Sequence, residues 1–269
     1  MPATKDGFEL QDGDVALVHS VYQLRLATID HLAALSGRSL KALRARLLKL
    51  LRQKYLASPK RFRQKKVYAL GNGAKPLLID NGFASHDFAN RRLRENELTE
   101  TFIHHTLFAS DILLKLLLQE RTSPIKIIEI MHDGPALWDT APGHDRNGKE
   151  FLFPVRPDFK LILRDTARPE GKNTLDGFFE ADRGSMSGND MEAKTRGYLA
   201  YHKSQRYHAK YPDMKMFQVF TVTRDRQRAA FLTARLAPIL PDGPAKRAYH
   251  FTAIEDLTLE DLFPPLPSA

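Results

Sequence analysis

Between His31 and Ile79 the chain carries thirteen lysines and arginines and not one aspartate or glutamate. A stretch of 49 residues without an acid cannot neutralise its own cations. Whatever it folds into must turn its leucines inward and leave a cationic surface for something else to meet. The spacing agrees: Leu40, Leu43, Leu47, Leu50 and Leu51 fall on one stripe of a helix behind Ser39, a residue suited to cap it. Lys41, Ala45, Lys49 and Arg52 lie on the opposite face, with Arg44 and Arg46 on its flanks. All five leucines are expected in the core.

The rest of the chain is different in character. Its 220 residues hold 28 basic and 32 acidic side chains, so the whole formal excess of +9 sits in the acid-free segment. A solvated charged face would mix its signs; this segment points to a polyanion, and phosphates are the natural partner. With no cysteine, disulfides, thiolate metal sites and cysteine nucleophiles are excluded. The longest apolar run, Ile112 to Leu118, is broken by Lys115, and the amino terminus shows no apolar signal segment. No membrane span is therefore expected, and the location expected is cytoplasmic.

The length predicts two domains. In the first, residues 1–82, a helix spans about Asp14 to Tyr22, a second runs from Thr28 to Gly37, and the leucine-striped helix follows. Strand-like runs Lys54 to Ala57 and Lys66 to Leu70 flank a basic loop. Together these predict a winged helix-turn-helix. Lys41, Arg44, Arg46, Lys49 and Arg52 would face the major groove of double-stranded DNA, and Lys60, Arg61, Arg63, Lys65 and Lys66 of the wing would reach flanking phosphates. A helical hairpin used for protein contacts explains the leucines equally well but not the basic wing. The turn-forming segment Ile79 to Asn96 reads as the boundary.

The second domain, residues 95–264, reads as a long helix (Glu95 to Gln119), a strand (Ile125 to Met131), a hairpin turn at Asn147-Gly148, and strands Pro157 to Leu163 and Gly177 to Asp182. A helix (Asn189 to Ala209), a strand (Met216 to Val222), a helix (Arg226 to Leu240) and a strand near Tyr249 to Thr252 follow. This order predicts an α/β sandwich around a central mixed sheet. Alternation places Asp158 and Lys160 on one face of their strand, and Phe178, Glu180 and Asp182 on one face of the next. Asp158, Glu180 and Asp182 are then expected to converge. Three carboxylates so gathered repel one another and call for a hard cation, Mg²⁺ or Mn²⁺, which can activate a nucleophile at a phosphodiester.

Pro157-Asp158 followed by Glu180-Ala181-Asp182 resembles the PD-(D/E)xK nuclease fold. The fuller order resembles the replication-relaxation family, including plasmid relaxases of the MobC type. It comprises a winged helix, a helix bearing His105-Thr-Leu, Pro-Asp, Phe-Phe-Glu-Ala-Asp-Arg-Gly, and a helix with Lys194 and Tyr198. The resemblance runs from about Val15 to Leu262. It implies metal-dependent nicking of a transfer-origin strand in plasmid mobilisation or conjugation, with Asp158 and Glu180 as metal ligands and Asp182 as a third ligand or a water-positioning group. Where the nuclease motif has lysine, this chain has Asp182. Lys194, on a helical stripe with Tyr198, Tyr201 and Gln205, or Lys160 would have to replace that lysine.

Other readings stay open. Tyr198 and Tyr201 also suit core aromatics, His105 also suits packing on the sheet, and Asp158 and Glu180 also suit ion pairs with Arg156 and Arg183. The second domain would then be a degenerate nuclease attached to a DNA-binding regulator or replication accessory factor. It would serve dimerisation, or docking onto conjugation or replication proteins. Water and Tyr198 are both open as nucleophiles.

Overall fold

Thr28 and Ser39 each start a helix, as their hydroxyls predict: Thr28 accepts from the His31 N–H and Ser39 from that of Ala42. The computed structural model describes residues 8–59, 65–85, 93, 98–132, 134–144 and 148–263. They divide into two units, Met1–Leu118 and Gln119–Ala269.

The first unit contains α1 (Asp12–Leu24), β1 (Ala27–Thr28), α2 (Ile29–Ser36), α3 (Leu40–Arg52), β2 (Leu56–Ala57), β3 (Val67–Leu70), α4 (Ala74–Asp80) and all but the end of α5 (Glu100–Glu120). The three short strands pair antiparallel in the order β1-β3-β2. Gly37 ends α2 in the left-handed conformation, φ 66°, which glycine adopts without a Cβ penalty. Leu43, Leu47 and Leu50 are fully buried and Leu51 half-buried. Leu40 departs from the expected core stripe at 41% exposure, because the first residue of a helix is covered on fewer sides than its middle. The short helix α4 is too brief to show a period in the sequence. Its Pro76 lies in the first turn, where a missing N–H costs nothing.

Helix α5 packs Ile103 and Leu107 against Leu26, Val67 and Ala69. The Ser110 hydroxyl donates to the Leu24 carbonyl at 2.7 Å, and His31 Nε2 meets Asp111 Oδ1 at 2.8 Å. Among the described residues α5 is one helix long and apolar enough to cross a membrane, although no single apolar run in the sequence reaches that length. Its residues Ile103, Leu107, Ile112, Leu113 and Leu116 are buried inside the protein, as in a core helix.

The second unit is built on a five-stranded mixed sheet in the order β10-β9-β8-β7-β4. Its strands are β4 (Ile125–His132), β7 (Phe159–Asp165), β8 (Thr174–Asp182), β9 (Phe217–Thr223) and β10 (Tyr249–Ala253). Strand β8 is the pivot: it pairs antiparallel with β7 and parallel with β9. The chain is thus a mixed α/β protein, as the order of predicted elements requires. A separate hairpin joins β5 (Asp139–His144) to β6 (Glu150–Val155). Strand β5 escapes the sequence reading because Pro142 and Gly143 are poor strand formers.

Helix α6 (Gly188–Ser204) covers one sheet face. The single helix expected over Asn189 to Ala209 is interrupted at Gln205, whose φ of 52° is left-handed, before the short α7 (Tyr207–Lys210). Helix α8 (Arg226–Leu236) gives way to a 3-10 turn at Pro238, and α9 is Leu259–Leu262. Phe178, Tyr198, Tyr201, Phe217 and Val219 form the core beneath α6. On the opposite sheet face the rings of Phe159, Phe179 and Phe220 stack, with centroids 4.7 and 4.9 Å apart.

Candidate active site

The end of β8 and the start of β7 bring Asp158 and Glu180 together through the backbone. The Asp158 N–H donates to the Phe179 carbonyl at 3.0 Å, and Asp158 Oδ2 accepts from the Ala181 N–H at 2.7 Å. These two bonds straddle Glu180 and fix one carboxylate beside the other. Both are charge-coupled: Asp158 is among the groups that raise the pKa of Glu180.

Glu180 is 2% exposed, and both its oxygens are engaged from α6. Lys194 Nζ donates to Oε2, and one turn later the Tyr198 hydroxyl donates to Oε1 at 2.5 Å. Burial pushes the Glu180 carboxyl up to about 7, against the pull of the Lys194 ammonium. The Tyr198 hydroxyl is itself buried, and burial beside Glu180 raises it well above the usual phenol range. It is held as a donor, and its phenolate is disfavoured. Glu180, Lys194, Thr195, Tyr198, Thr221 and Tyr249 line a narrow cleft between α6 and the sheet.

Asp182 shares the strand face of Glu180 but is turned to other partners. Arg228 Nε donates to Oδ2 at 2.7 Å, and the Gly184 N–H donates to Oδ1 at 2.9 Å. The expected gathering of three carboxylates is therefore not formed; among the described residues no group of three or more acidic or histidine side chains could hold a metal ion. The strand alternation is right, but Arg228, two residues into α8, draws Asp182 away, and only the tertiary structure reveals that partner. Of the three acids, Asp158 and Glu180 stay neighbours, with both Glu180 oxygens already engaged by Lys194 and Tyr198, while Asp182 is paired elsewhere.

The two lysines proposed to replace the missing motif lysine separate cleanly. Lys194 reaches Glu180. Lys160, 2% exposed, pairs instead with Asp176 at 2.7 Å and lies 5.1 Å from the centre of the Tyr211 ring. Tyr201 donates to Asp139 of the hairpin at 2.8 Å, and Gln205 caps α6. Of the arginines considered as partners, Arg156 lies over the Trp138 ring at 5.0 Å, and Arg183 Nε is buried with no hydrogen-bond partner among the described residues. His105 is half-buried on α5 and belongs to the first unit.

In the first unit Lys41, Arg44, Lys49 and Arg52 of α3 are exposed, as are Lys65 and Lys66 ahead of β3. Lys60, Arg61 and Arg63 lie outside the described residues. Arg46 differs from its neighbours. Its guanidinium is committed to Asp14, which is fully buried: Nε donates to Oδ1 at 2.5 Å, Nη2 to Oδ2, and Nη2 also to the Glu9 carbonyl at 2.9 Å. Asp14 carries no sequence signal of this role, since its partner is 32 residues away.

The family model described as replication-relaxation matches residues 18–214, from within α1 to just short of β9. No curated protein and no solved structure gives a match. A match over well over half the chain, covering α2 and α3 in the first unit and Asp158, Glu180 and Lys194 in the second, settles the relationship: the chain belongs to the replication-relaxation family.

Proposed function

We propose that this chain is a DNA-processing protein in which a winged helix-turn-helix delivers a metal-dependent strand-nicking centre to its site. Membership of the replication-relaxation family points to a role in replication or mobilisation; a MobC-like plasmid relaxase is the finer reading. One observation carries it. Asp158 and Glu180 lie side by side on adjacent strands with Lys194 on Glu180, which is two carboxylates and a lysine, the lysine supplied by a helix in place of the strand position occupied by Asp182.

Asp158 and Glu180 would hold Mg²⁺ or Mn²⁺, which supplies Lewis-acid polarisation of the phosphodiester and an activated water. Asp158 is oriented by the Ala181 N–H. Glu180, with a pKa near neutrality, exchanges charge at little cost in the working pH range. Lys194 places a cation where charge develops on the phosphoryl oxygens. Tyr198 orients Glu180 as a donor, and its raised pKa favours water over tyrosine as nucleophile. The order α1-β1-α2-α3-β2-β3 with sheet order β1-β3-β2 supports the winged helix, and the exposed cations of α3 support double-stranded DNA as its ligand.

A second reading, a DNA-binding regulator or replication accessory factor whose nuclease-like unit no longer cuts, is favoured by the full engagement of Glu180 and by the Asp182–Arg228 pair. The two separate on supercoiled plasmid carrying the cognate origin. Nicking that needs Mg²⁺ or Mn²⁺ and is lost in Asp158→Ala and Lys194→Ala supports the enzyme; equal behaviour of wild type and Asp158→Ala sinks it.

A further inference from the structure

Strands β8 and β9 run parallel and end in register, Asp182 opposite Thr223. The next residue on each is an arginine, Arg183 and Arg224. The sheet therefore sets two arginines at the same carboxyl-terminal edge, one strand apart, with Arg183 three residues past Glu180. They are close enough to feel each other: the nearby charge of Arg224, after burial, holds Arg183 below the usual guanidinium range.

Arg183 is the unusual member. It is half-buried, and its Nε is sealed from solvent with no hydrogen-bond partner among the described residues. The nearest acid in sequence, Asp182, is taken by Arg228 and the Gly184 N–H. A desolvated donor on a cation, crowded by a second cation, is costly to leave unmatched. A guanidinium fork matches the paired oxygens of a phosphate. The carboxyl ends of parallel strands in an open α/β sheet are also where ligands bind.

We propose that Arg183 and Arg224 form a phosphate-binding site, and that it clamps a backbone phosphate of the DNA strand next to the carboxylates. The ligand class is a nucleic-acid phosphodiester or terminal phosphate. This deepens the reading of the chain as a DNA-processing protein and names the part of its substrate that the edge would grip. The pair sets the strand's register relative to Asp158 and Glu180 through charge and geometry, with no bond made or broken at the arginines.

The test uses thymidine 3′,5′-bisphosphate, too short to span the α3 surface, titrated calorimetrically into the full chain without divalent ion. Wild type is expected to bind, Arg183→Gln and Arg224→Gln to weaken binding about tenfold each, and the double variant to abolish it. Arg183→Lys, which keeps the charge but loses the fork, is expected to fall between. Undiminished binding in Arg224→Gln, which alters an exposed side chain and leaves the fold intact, overturns the proposal even if Arg183→Gln misfolds. So does an absence of binding in wild type. A protein that fails to nick yet loses bisphosphate binding with these arginines keeps the anion site and removes only the nuclease reading.

Discussion

The ammonium of Lys194 meets the carboxylate of Glu180 across the gap between helix α6 and strand β8, fourteen residues apart in sequence. Removing the cation leaves a carboxylate at 2% exposure without its countercharge. Lys194→Met should therefore raise the Glu180 pKa above about 7. With the carboxyl then staying neutral past the wild-type value, linkage limits the extra cost at pH 8 to about 1.4 kcal/mol, one pH unit above about 7. At pH 5 the carboxyl is neutral in the variant and the loss should be small. Urea denaturation at the two pH values reads the difference.

Glu180 alone makes a second, signed prediction. Its folded pKa of about 7 lies above the ordinary 4.5, so the stability it contributes is fully present below about pH 4.5 and is lost as the pH rises through 7. The amide introduced by Glu180→Gln does not ionise. The stability of Glu180→Gln relative to wild type should thus climb by about 3 kcal/mol between pH 4.5 and 7, at about 1.4 kcal/mol for each unit of pKa difference. A flat difference across that range would contradict the burial argument.

Arg46 should behave as a structural residue beside the exposed cations of α3. Asp14 is fully buried and Arg46 supplies two of its hydrogen bonds, so Arg46→Met is expected to lower stability by about 3 kcal/mol. Lys41→Ala and Lys49→Ala, at exposed positions, should leave stability within about 0.5 kcal/mol. On the DNA-binding reading they should weaken affinity and reduce the salt slope by about 1 each. Thermal denaturation and anisotropy titrations over a salt series distinguish the classes.

Asp182 and Asp158 should separate in metal calorimetry. Asp182 is held by Arg228, so Asp182→Asn is expected to lower the melting temperature and, on the proposed metal-dependent reading, to leave Mn²⁺ uptake in place. Asp158→Ala should abolish that uptake. Loss of Mn²⁺ binding in both would restore the three-carboxylate arrangement.

Local chemistry was readable before the fold was known. Thr28, Gly37 and Ser39 mark helix ends through their own backbone preferences, and the alternation around Asp158 and Glu180 places them correctly because a strand has only two faces. Long-range charge pairing was not readable. Arg46 looked like its neighbours on α3 because its partner, Asp14, belongs to a different helix; Asp182 looked like Glu180 because Arg228 arrives from beyond β9. Periodicity says which way a side chain points and nothing about who is waiting there. The choice of Lys194 over Lys160 likewise depended on Asp176, whose position opposite Ile162 is a matter of register.

Strand β8 is the middle strand of five, bonded along both edges. Its amides should be among the slowest in the molecule to exchange with solvent, and its backbone among the hardest to shift by mutation. A lineage that needs to retune this centre has little freedom to move Glu180 itself. The adjustable part is α6, where a one-residue change in where the helix starts would swing Lys194 and Tyr198 by about 100° together, at 3.6 residues per turn. The sheet keeps the acid in place and the helix tunes its company, so descendants of this protein are expected to differ first in what α6 presents.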